Sequence, residues 1–233
     1  LIICTMKKIE LEGIIPVKTY SERVKNKNIR KFGNTTLYEL KLKQLSKTKE
    51  FKNFIVSSES QEVLDISSKF GFRTHLRDKY FSTSHVPMSE VYSHLGSQSS
   101  SDYVAWINIT NPLVDFSVYD RAAKIFKTKI AKSSYDCLLS ATENRENFFY
   151  QNKRVNFARS PWPQSQKLKP LISLPFVINI LKKKDLIKWG SCVGKKPYFF
   201  ILSPLIATDI DNQHNFDFCE FVYKNRQKYK LKI

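Results

Sequence analysis

Residues 102–108 read DYVAWIN, the most hydrophobic strand candidate in the chain, with apolar side chains on both of its faces. Successive side chains of a strand point to opposite faces of the sheet, so this segment needs cover on both sides. It is therefore predicted to be a central strand. The chain around it repeats strand and helix three times. Ile14 and Ile15 begin a strand that Pro16 closes, and Thr36 can cap a helix with Tyr38, Leu42 and Leu45 at i, i+4 and i+7, leaving Lys41, Lys43 and Lys47 to face elsewhere. Phe54, Ile55 and Val56 form a second buried strand, followed by a helix with Val63, Ile66 and Phe70 on one face and Gly71 as its stop. A short strand over 72–75, a polar segment over 77–87 and a helix over 89–95 lead into DYVAWIN, which ends in the turn Thr110-Asn111-Pro112-Leu113; the next helix carries Val118, Ala122 and Ile125. This alternation predicts an α/β fold with a mostly parallel sheet flanked by crossover helices.

The rhythm changes after Lys132. A strand over 137–141 precedes a hairpin over 147–156 that turns at Asn152, and Pro161, Pro163 and Pro170 mark an exposed excursion. Such an arm commonly serves as a lid or a dimer contact. The chain returns through 176–181, a helix near 184–187 and an aromatic strand over 198–202, and closes with a helix whose face is expected to hold Phe218, Phe221 and Val222. We expect a single domain over 1–233 with an arm inserted at about 135–182, since 233 residues with 42% hydrophobic content supply one sizeable core. Residues 1–10 read as a lead-in to the first strand, with an extension before Met6; they lack the long apolar core of a signal peptide. No run approaches the roughly 18 apolar residues of a membrane span. Cys4, Cys137, Cys192 and Cys219 show no metal or disulfide spacing, which fits a reducing cytoplasm.

The segment after the first strand is the leading candidate for chemistry. Between Val17 and Arg30 it carries Lys18, Arg23, Lys25 and Lys27, a basic loop where an open α/β sheet places its ligand crevice. The net charge of +18 points to an anionic partner: nucleic acid, a membrane surface, or a small phosphorylated or carboxylated substrate. A solvated lysine surface arising from compositional bias accounts equally for most of those charges. Far downstream, Asp209 and Asp211 flank Ile210, so on extended backbone both carboxylates point the same way while Ile210 points into the core. Two carboxylates on one side suit Mg²⁺, which fills its remaining positions with water and phosphate oxygens. The same pattern also occurs in solvated turns.

Together these pieces resemble the cytidylyltransferases that activate sialic acid and related acidic sugars. The family's first loop, IPAR followed by a basic residue and KN, is matched by Pro16, Lys18, Ser21, Arg23, Lys27 and Asn28; its VSTDSEEI resembles Val56-Ser57-Ser58-Glu59-Ser60-Gln61-Glu62-Val63. Its LR with a following polar segment resembles Leu76-Arg77 through His85, its QPTSPL resembles Asn108-Ile109-Thr110-Asn111-Pro112-Leu113, and its SVDIDT resembles Ala207-Thr208-Asp209-Ile210-Asp211-Asn212. The resemblance implies a Rossmann-like domain, a homodimer formed through the middle arm, and Mg²⁺-dependent transfer from CTP to a 2-keto sugar acid, giving a CMP-sugar and pyrophosphate. It implies that Lys18, Arg23 and Lys27 grip the phosphates and that Asp209 and Asp211 hold the metal. Asn28, Arg77, Ser82 and Ser84 are implied around the cytidine, with Asn108 and Thr110 also at the nucleotide site.

The sequence departs from the family in two places. The loop has Lys18 where the family has Arg, and has lost the glycines that let backbone approach phosphate closely. In the acceptor half, RSQDLPP and RxNGA become Gln164-Ser165-Gln166-Lys167-Leu168-Lys169-Pro170 and Ser173-Leu174-Pro175-Phe176-Val177, losing two arginines and an Asn-Gly turn. Arg145, Arg154, Arg159 and Lys167 are candidate replacements for the missing cations. Two alternatives stay open beside the active cytidylyltransferase: a non-catalytic nucleotide-binding homologue, and a nucleotidyltransferase for a different acceptor. Nucleic-acid binding ranks below these because no nucleic-acid motif appears.

Overall fold

The computed structural model describes residues 9–233. The lead-in expected before the first strand, with Cys4 and Met6, lies largely outside the described residues. Eight strands form one sheet: β1 (Leu11–Pro16), β2 (Asn53–Ser58), β3 (Arg73–Leu76), β4 (Tyr103–Trp106), β5 (Cys137–Asn144), β6 (Leu171–Ser173), β7 (Asn179–Lys182) and β8 (Pro197–Ile201). The strand order is β6-β5-β7-β4-β1-β2-β3, with β8 also paired to β5. Strands β1 to β4 are parallel, whereas β7 runs antiparallel to both β4 and β5. As expected, β4 is central, with Val104, Ala105 and Trp106 buried on alternating faces.

The first four strands lie in the order 3-2-1-4, so the side to which successive strands are added reverses between β1 and β4. In open α/β sheets the ligand crevice lies at such a switch, beyond the carboxyl ends of the strands. Here that places the 17–30 loop after β1 beside the 107–113 turn after β4. Gly13 permits the close packing beneath, because a Cβ there would lie 2.3 Å from the Phe54 ring.

Among the described residues six α-helices accompany the sheet: α1 (Leu37–Leu45), α2 (Gln61–Lys69), α3 (Met88–Ser97), α4 (Phe116–Ile125), α5 (Lys183–Trp189) and α6 (Gln213–Lys224). Thr36 caps α1 through a reciprocal bond pair with Glu39, and Ser60 and Asp115 cap α2 and α4. One reading of α1 is corrected. Lys43 and Lys47 are exposed as expected, but Lys41 is fully buried. Its Nζ donates to the Asn111 carbonyl at 2.9 Å and contacts the Tyr119 hydroxyl. One turn on, Gln44 Nε2 donates to the Pro112 carbonyl at 2.8 Å. A tight turn under a packed helix leaves carbonyls that no strand can satisfy, and α1 supplies the donors.

Lys41 has only neutral hydrogen-bond partners, and burial pushes its pKa down to about 7. The unfolded chain keeps this lysine protonated up to about pH 10.4, so between pH 7 and 10 the unfolded state binds the extra proton. This residue therefore makes stability rise with pH across that window, by up to about 1.4 kcal/mol per pH unit. Urea titrations of wild type and Lys41→Met at pH 7 and 8.5 should show a smaller pH gain in the variant; equal gains would refute the assignment.

The last helix also differs from expectation. Phe216, Cys219, Val222 and Tyr223 form its buried face, while Phe218 and Phe221 are exposed. Its docking partner is the short ribbon around Gly33: Phe32 meets Phe216 edge-on at 5.4 Å and Tyr223 at 5.3 Å. Glu220 receives the Gly33 N–H at 2.8 Å, which fixes the rotation of α6.

Within the 135–182 region, β5 and β7 belong to the main sheet, and the chain leaves the sheet between Asn144 and Leu171. The hairpin there pairs Phe149 with Arg154 and Tyr150 with Lys153, turning through Gln151 and Asn152 at positive φ.

Candidate active site

The loop after β1 is built without glycine. Asn26 takes its left-handed position at φ 50°, and its carbonyl accepts from the N–H groups of Ile29 and Arg30. Asparagine tolerates that conformation better than other non-glycine residues, so the turn survives the missing glycines. The Ser21 hydroxyl accepts from Lys27 N at 2.9 Å, and buried Asn28 donates from Nδ2 to the Lys18 carbonyl at 2.7 Å. The loop is thereby folded on itself, with Val24 as its apolar plug.

Its near end is locked by an acid that motif reading left without a role. Glu59, just past β2, accepts from both the backbone N–H and the hydroxyl of Thr19, at 2.7 and 2.6 Å. Its other oxygen accepts from Arg77 at 3.1 Å and from the Ser82 hydroxyl at 3.1 Å. Arg77 is itself buried, donating to the Val17 carbonyl at 2.7 Å and to Ser82 Oγ at 2.9 Å. Burial alone would raise the Glu59 pKa, but hydrogen bonds from Thr19, its own backbone and Arg77 hold it below the usual carboxylate value. Arg77 and Ser82 thus brace the loop in this structure. Ser84 lies farther out and donates to Glu22 at 2.7 Å.

Five of the sequence-predicted residues meet at the far end of the loop. Lys27 Nζ donates to the Ile210 carbonyl, and Arg23 pairs with Asp211 at 2.8 Å. Ile210 N donates to the Thr110 carbonyl at 3.0 Å, which brings Thr110 beside the Asp209 segment. Burial lowers the Lys27 pKa, with Asp209 and Asp211 opposing the shift. Burial likewise raises Asp209, helped by Asp211 and resisted by Thr110 and Lys27. Fully buried Ile210 between the two acids anchors the segment in the core beside Phe216 and Cys219. Lys18, half-buried at the loop's start, gives its carbonyl to Asn28, and its side chain makes no hydrogen bond or ion pair with this group.

The turn after β4 carries a second residue that sequence reasoning missed. Asn111 is fully buried, and its Nδ2 lies 3.3, 3.2 and 3.4 Å from the carbonyls of Pro175, Ala207 and Thr208. Asn108 accepts from the Trp106 indole at 3.1 Å. Next to Pro175, Phe176 adopts φ 52° at the position where the resemblance calls for the glycine of an Asn-Gly turn. The left-handed backbone is kept although the glycine is gone, at a cost of about 1–2 kcal/mol for an L-residue.

Among the described residues, no group of three or more His, Cys, Asp or Glu side chains forms a metal cage. Asp209 Oδ1, Asn28 Oδ1 and Asn111 Oδ1 are buried oxygens with no hydrogen-bond partner. Mg²⁺ needs only one or two carboxylates when substrate phosphates complete its shell, so Asp209 and Asp211 fit that ion.

A parallel-sheet switch point with a basic loop facing two carboxylates suits a phosphate-bearing ligand held together with a divalent cation. The structure superposes on CMP:2-keto-3-deoxy-manno-octonic acid synthetase complexed with CTP at a TM-score of 0.65, with 9% identity over 93% of this chain and 99% of that one. It also superposes on 4-diphosphocytidyl-2C-methyl-D-erythritol synthase from Anaerococcus prevotii at 0.62, with 12% identity over 93% and 97% of the two chains. These likenesses establish the fold. A family model described as cytidylyltransferase matches residues 13–169, and the chain belongs to that family. Similar proteins include flagellin modification protein B of Campylobacter coli, 24% identical over 88% of this chain and 92% of the relative. CMP-N,N'-diacetyllegionaminic acid synthase of Campylobacter jejuni is 23% identical, over 87% and 90% of the two chains. Pseudaminic acid cytidylyltransferase of the same species is 21% identical, over 91% and 95%.

Proposed function

We propose that this cytidylyltransferase activates a nonulosonic or related 2-keto sugar acid with CTP, giving the CMP-sugar and pyrophosphate, with Mg²⁺ as its metal. The convergence of Arg23, Lys27, Thr110, Asp209 and Asp211 at the switch point carries the reading. In the reaction a sugar hydroxyl attacks the α-phosphorus of CTP, the bond from that phosphorus to the β-phosphate oxygen breaks, and pyrophosphate leaves. Such transfer depends on neutralising the triphosphate and holding the attack in line. Lys18, Arg23 and Lys27 supply fixed cations along the phosphates. Asp209 and Asp211 would hold Mg²⁺, which supplies further charge neutralisation on the phosphoryl oxygens. Asn28, Asn108 and Ser84 line the nucleotide side, with Arg77 and Ser82 bracing the wall behind it. The relatives named for legionaminic and pseudaminic acids support the substrate class.

Purified protein should gain several degrees of melting temperature with CTP and Mg²⁺ together, and should release pyrophosphate when a nonulosonic acid is added. No stabilisation by any nucleoside triphosphate and no turnover across a panel of sugar acids would overturn the proposal. Two observations favour a second reading, nucleotide binding without turnover: Arg77 is spent on Glu59, and the acceptor wall has lost its expected arginines. Stabilisation by CTP with no pyrophosphate release on any acceptor would select it.

We further propose a cytoplasmic homodimer formed through the 145–170 excursion. Phe149, Phe157 and Trp162 form an edge-to-face ladder with centroids 5.2 and 5.4 Å apart, and Phe149, Tyr150 and Trp162 are exposed. A run of exposed aromatics of this kind is typical of a contact surface. Light scattering should report twice the chain mass for wild type and a shift to the single-chain mass for Trp162→Glu. A wild-type protein that stays monomeric at high concentration would remove the dimer.

A further inference from the structure

The turn after β4 is gripped from below and grips in turn the two segments on either side of it. From below, Lys41 and Gln44 of α1 donate to the successive carbonyls of Asn111 and Pro112. Toward the site, the single Nδ2 of Asn111 lies within hydrogen-bond range of three carbonyls. Two of these, on Ala207 and Thr208, belong to the segment that continues into Asp209 and Asp211. The third, on Pro175, belongs to the wall where two arginines and an Asn-Gly turn have been replaced. An amide nitrogen has two hydrogens, so three acceptors at 3.2–3.4 Å share them. This is a contact that tolerates little movement of any one strand of chain.

The wall needs such a tie. Phe176 holds a left-handed backbone that a bulky residue keeps only when its surroundings over-determine it. Its ring packs in the cluster that contains Trp106, Leu95 and Leu186, while the preceding carbonyl is held by Asn111. Lys41 is the more unusual member. It is a fully buried amine with no carboxylate partner, placed where an apolar side chain would cost less to bury.

We propose that Asn111, held in place by Lys41, is the positioning residue that sets the acceptor wall at Pro175 and Phe176 against the Asp209 to Asp211 segment, and so governs capture of the sugar acid more than capture of CTP. The proposal rests on the cytidylyl-transfer reading above. It assigns no contact with substrate to either residue. Lys41 acts through Asn111, and Asn111 acts through the three carbonyls.

The test is steady-state kinetics of Asn111→Ala, Lys41→Met and the double variant, using CTP, Mg²⁺ and the sugar acid that wild type turns over best. Misplacement of a binding wall by a fraction of an ångström to one ångström costs up to about a hundredfold. Asn111→Ala should therefore raise the acceptor KM about ten- to a hundredfold and the CTP KM by a clearly smaller factor, since Ala207 and Thr208 lead into the acids proposed to hold the metal. Lys41→Met should move the acceptor KM in the same direction by less, and Lys41→Arg should not restore it, because the larger guanidinium cannot fit the same buried site. The double variant should be no worse than Asn111→Ala alone, because both act on one element. Parallel rises in both KM values, or an unchanged acceptor KM, would overturn the proposal.

Amide exchange provides a readout that does not depend on activity. In Asn111→Ala, exchange should quicken at 176–178 and 207–210 and stay unchanged in α2 and β3. If wild type turns over no acceptor, the cytidylyl-transfer reading fails first, and unchanged exchange in those two segments would then sink the relay by itself. Lys41→Met keeps the test available should Asn111→Ala fail to fold.

Discussion

Replacing Asp211 with alanine is expected to abolish pyrophosphate release, by a factor of about a thousand or more, while leaving the fold almost untouched. The two halves of this expectation have different physical origins. The Arg23–Asp211 ion pair joins side chains that are 72% and 51% exposed. Exposed pairs contribute about 0–1 kcal/mol, and for a domain of this size 1 kcal/mol moves the melting temperature by roughly 2–4 °C. Melting should therefore fall by no more than about 4 °C. Activity depends instead on where charge is held during transfer, and loss of one preorganised charge-stabilising group costs about 10²–10³ in kcat. Losing the carboxylate proposed to hold the metal also frees Arg23 from its partner, which adds to the deficit. A coupled pyrophosphate assay with CTP and Mg²⁺, run beside a thermal melt, checks both halves. Turnover within tenfold of wild type would remove Asp211 from the machinery.

Substitution of Glu59 by alanine should do the reverse, damaging the fold first and activity as a result. Arg77 is 3% exposed and Glu59 14% exposed, so removing the acid strands a buried guanidinium. Breaking one partner out of a buried pair costs about 3–5 kcal/mol, equivalent to roughly 10 °C in melting temperature. Thr19 loses both of its anchors in the same step, and the basic loop is released at its near end. Glu59 also predicts acid sensitivity. Its folded pKa lies below the unfolded value of about 4.3, so its contribution is full above that pH and is lost as pH falls through the lower folded value. In guanidinium titrations the stability gap between wild type and Glu59→Ala should be full at pH 7 and should narrow progressively as the pH falls below about 4.3. A variant that melts within 2 °C of wild type at pH 7 would show that Arg77 finds another partner.

The strands and helices were legible because their signals are local. Apolar residues on both faces of 102–108 required a covered central strand, and β4 sits in the middle of the sheet. The pairing of the first loop with the Asp209 segment was legible through motif order, and Lys27 and Arg23 reach that segment in the structure. What escaped were polar side chains turned inward. Lys41 sits at a helical position that periodicity assigns to solvent, and only the carbonyls of a turn seventy residues away explain its burial. Glu59 was visible as an acid after a strand, yet its task of holding Thr19 and Arg77 together depends on a contact no spacing encodes. Phe218 and Phe221 misled in the opposite sense, since the rotation of α6 is set by Phe32 and Gly33 from the far end of the chain.

The bond from Lys27 to the Ile210 carbonyl joins residues 183 positions apart, and it has a consequence for how the protein comes to life. Contacts between distant positions form late, because the entropy of closing so long a loop is lost before the contact returns anything. The basic loop can assemble with β1 and β2, but its carboxylate partners come from a segment that follows the last strand of the sheet. A partly folded chain therefore carries a cationic loop with nothing opposite it, able to attract triphosphates without transferring anything. Catalytic competence should appear in a refolding experiment as the final phase, after the sheet's circular dichroism signal is complete, so that the site itself reports that the whole chain has arrived.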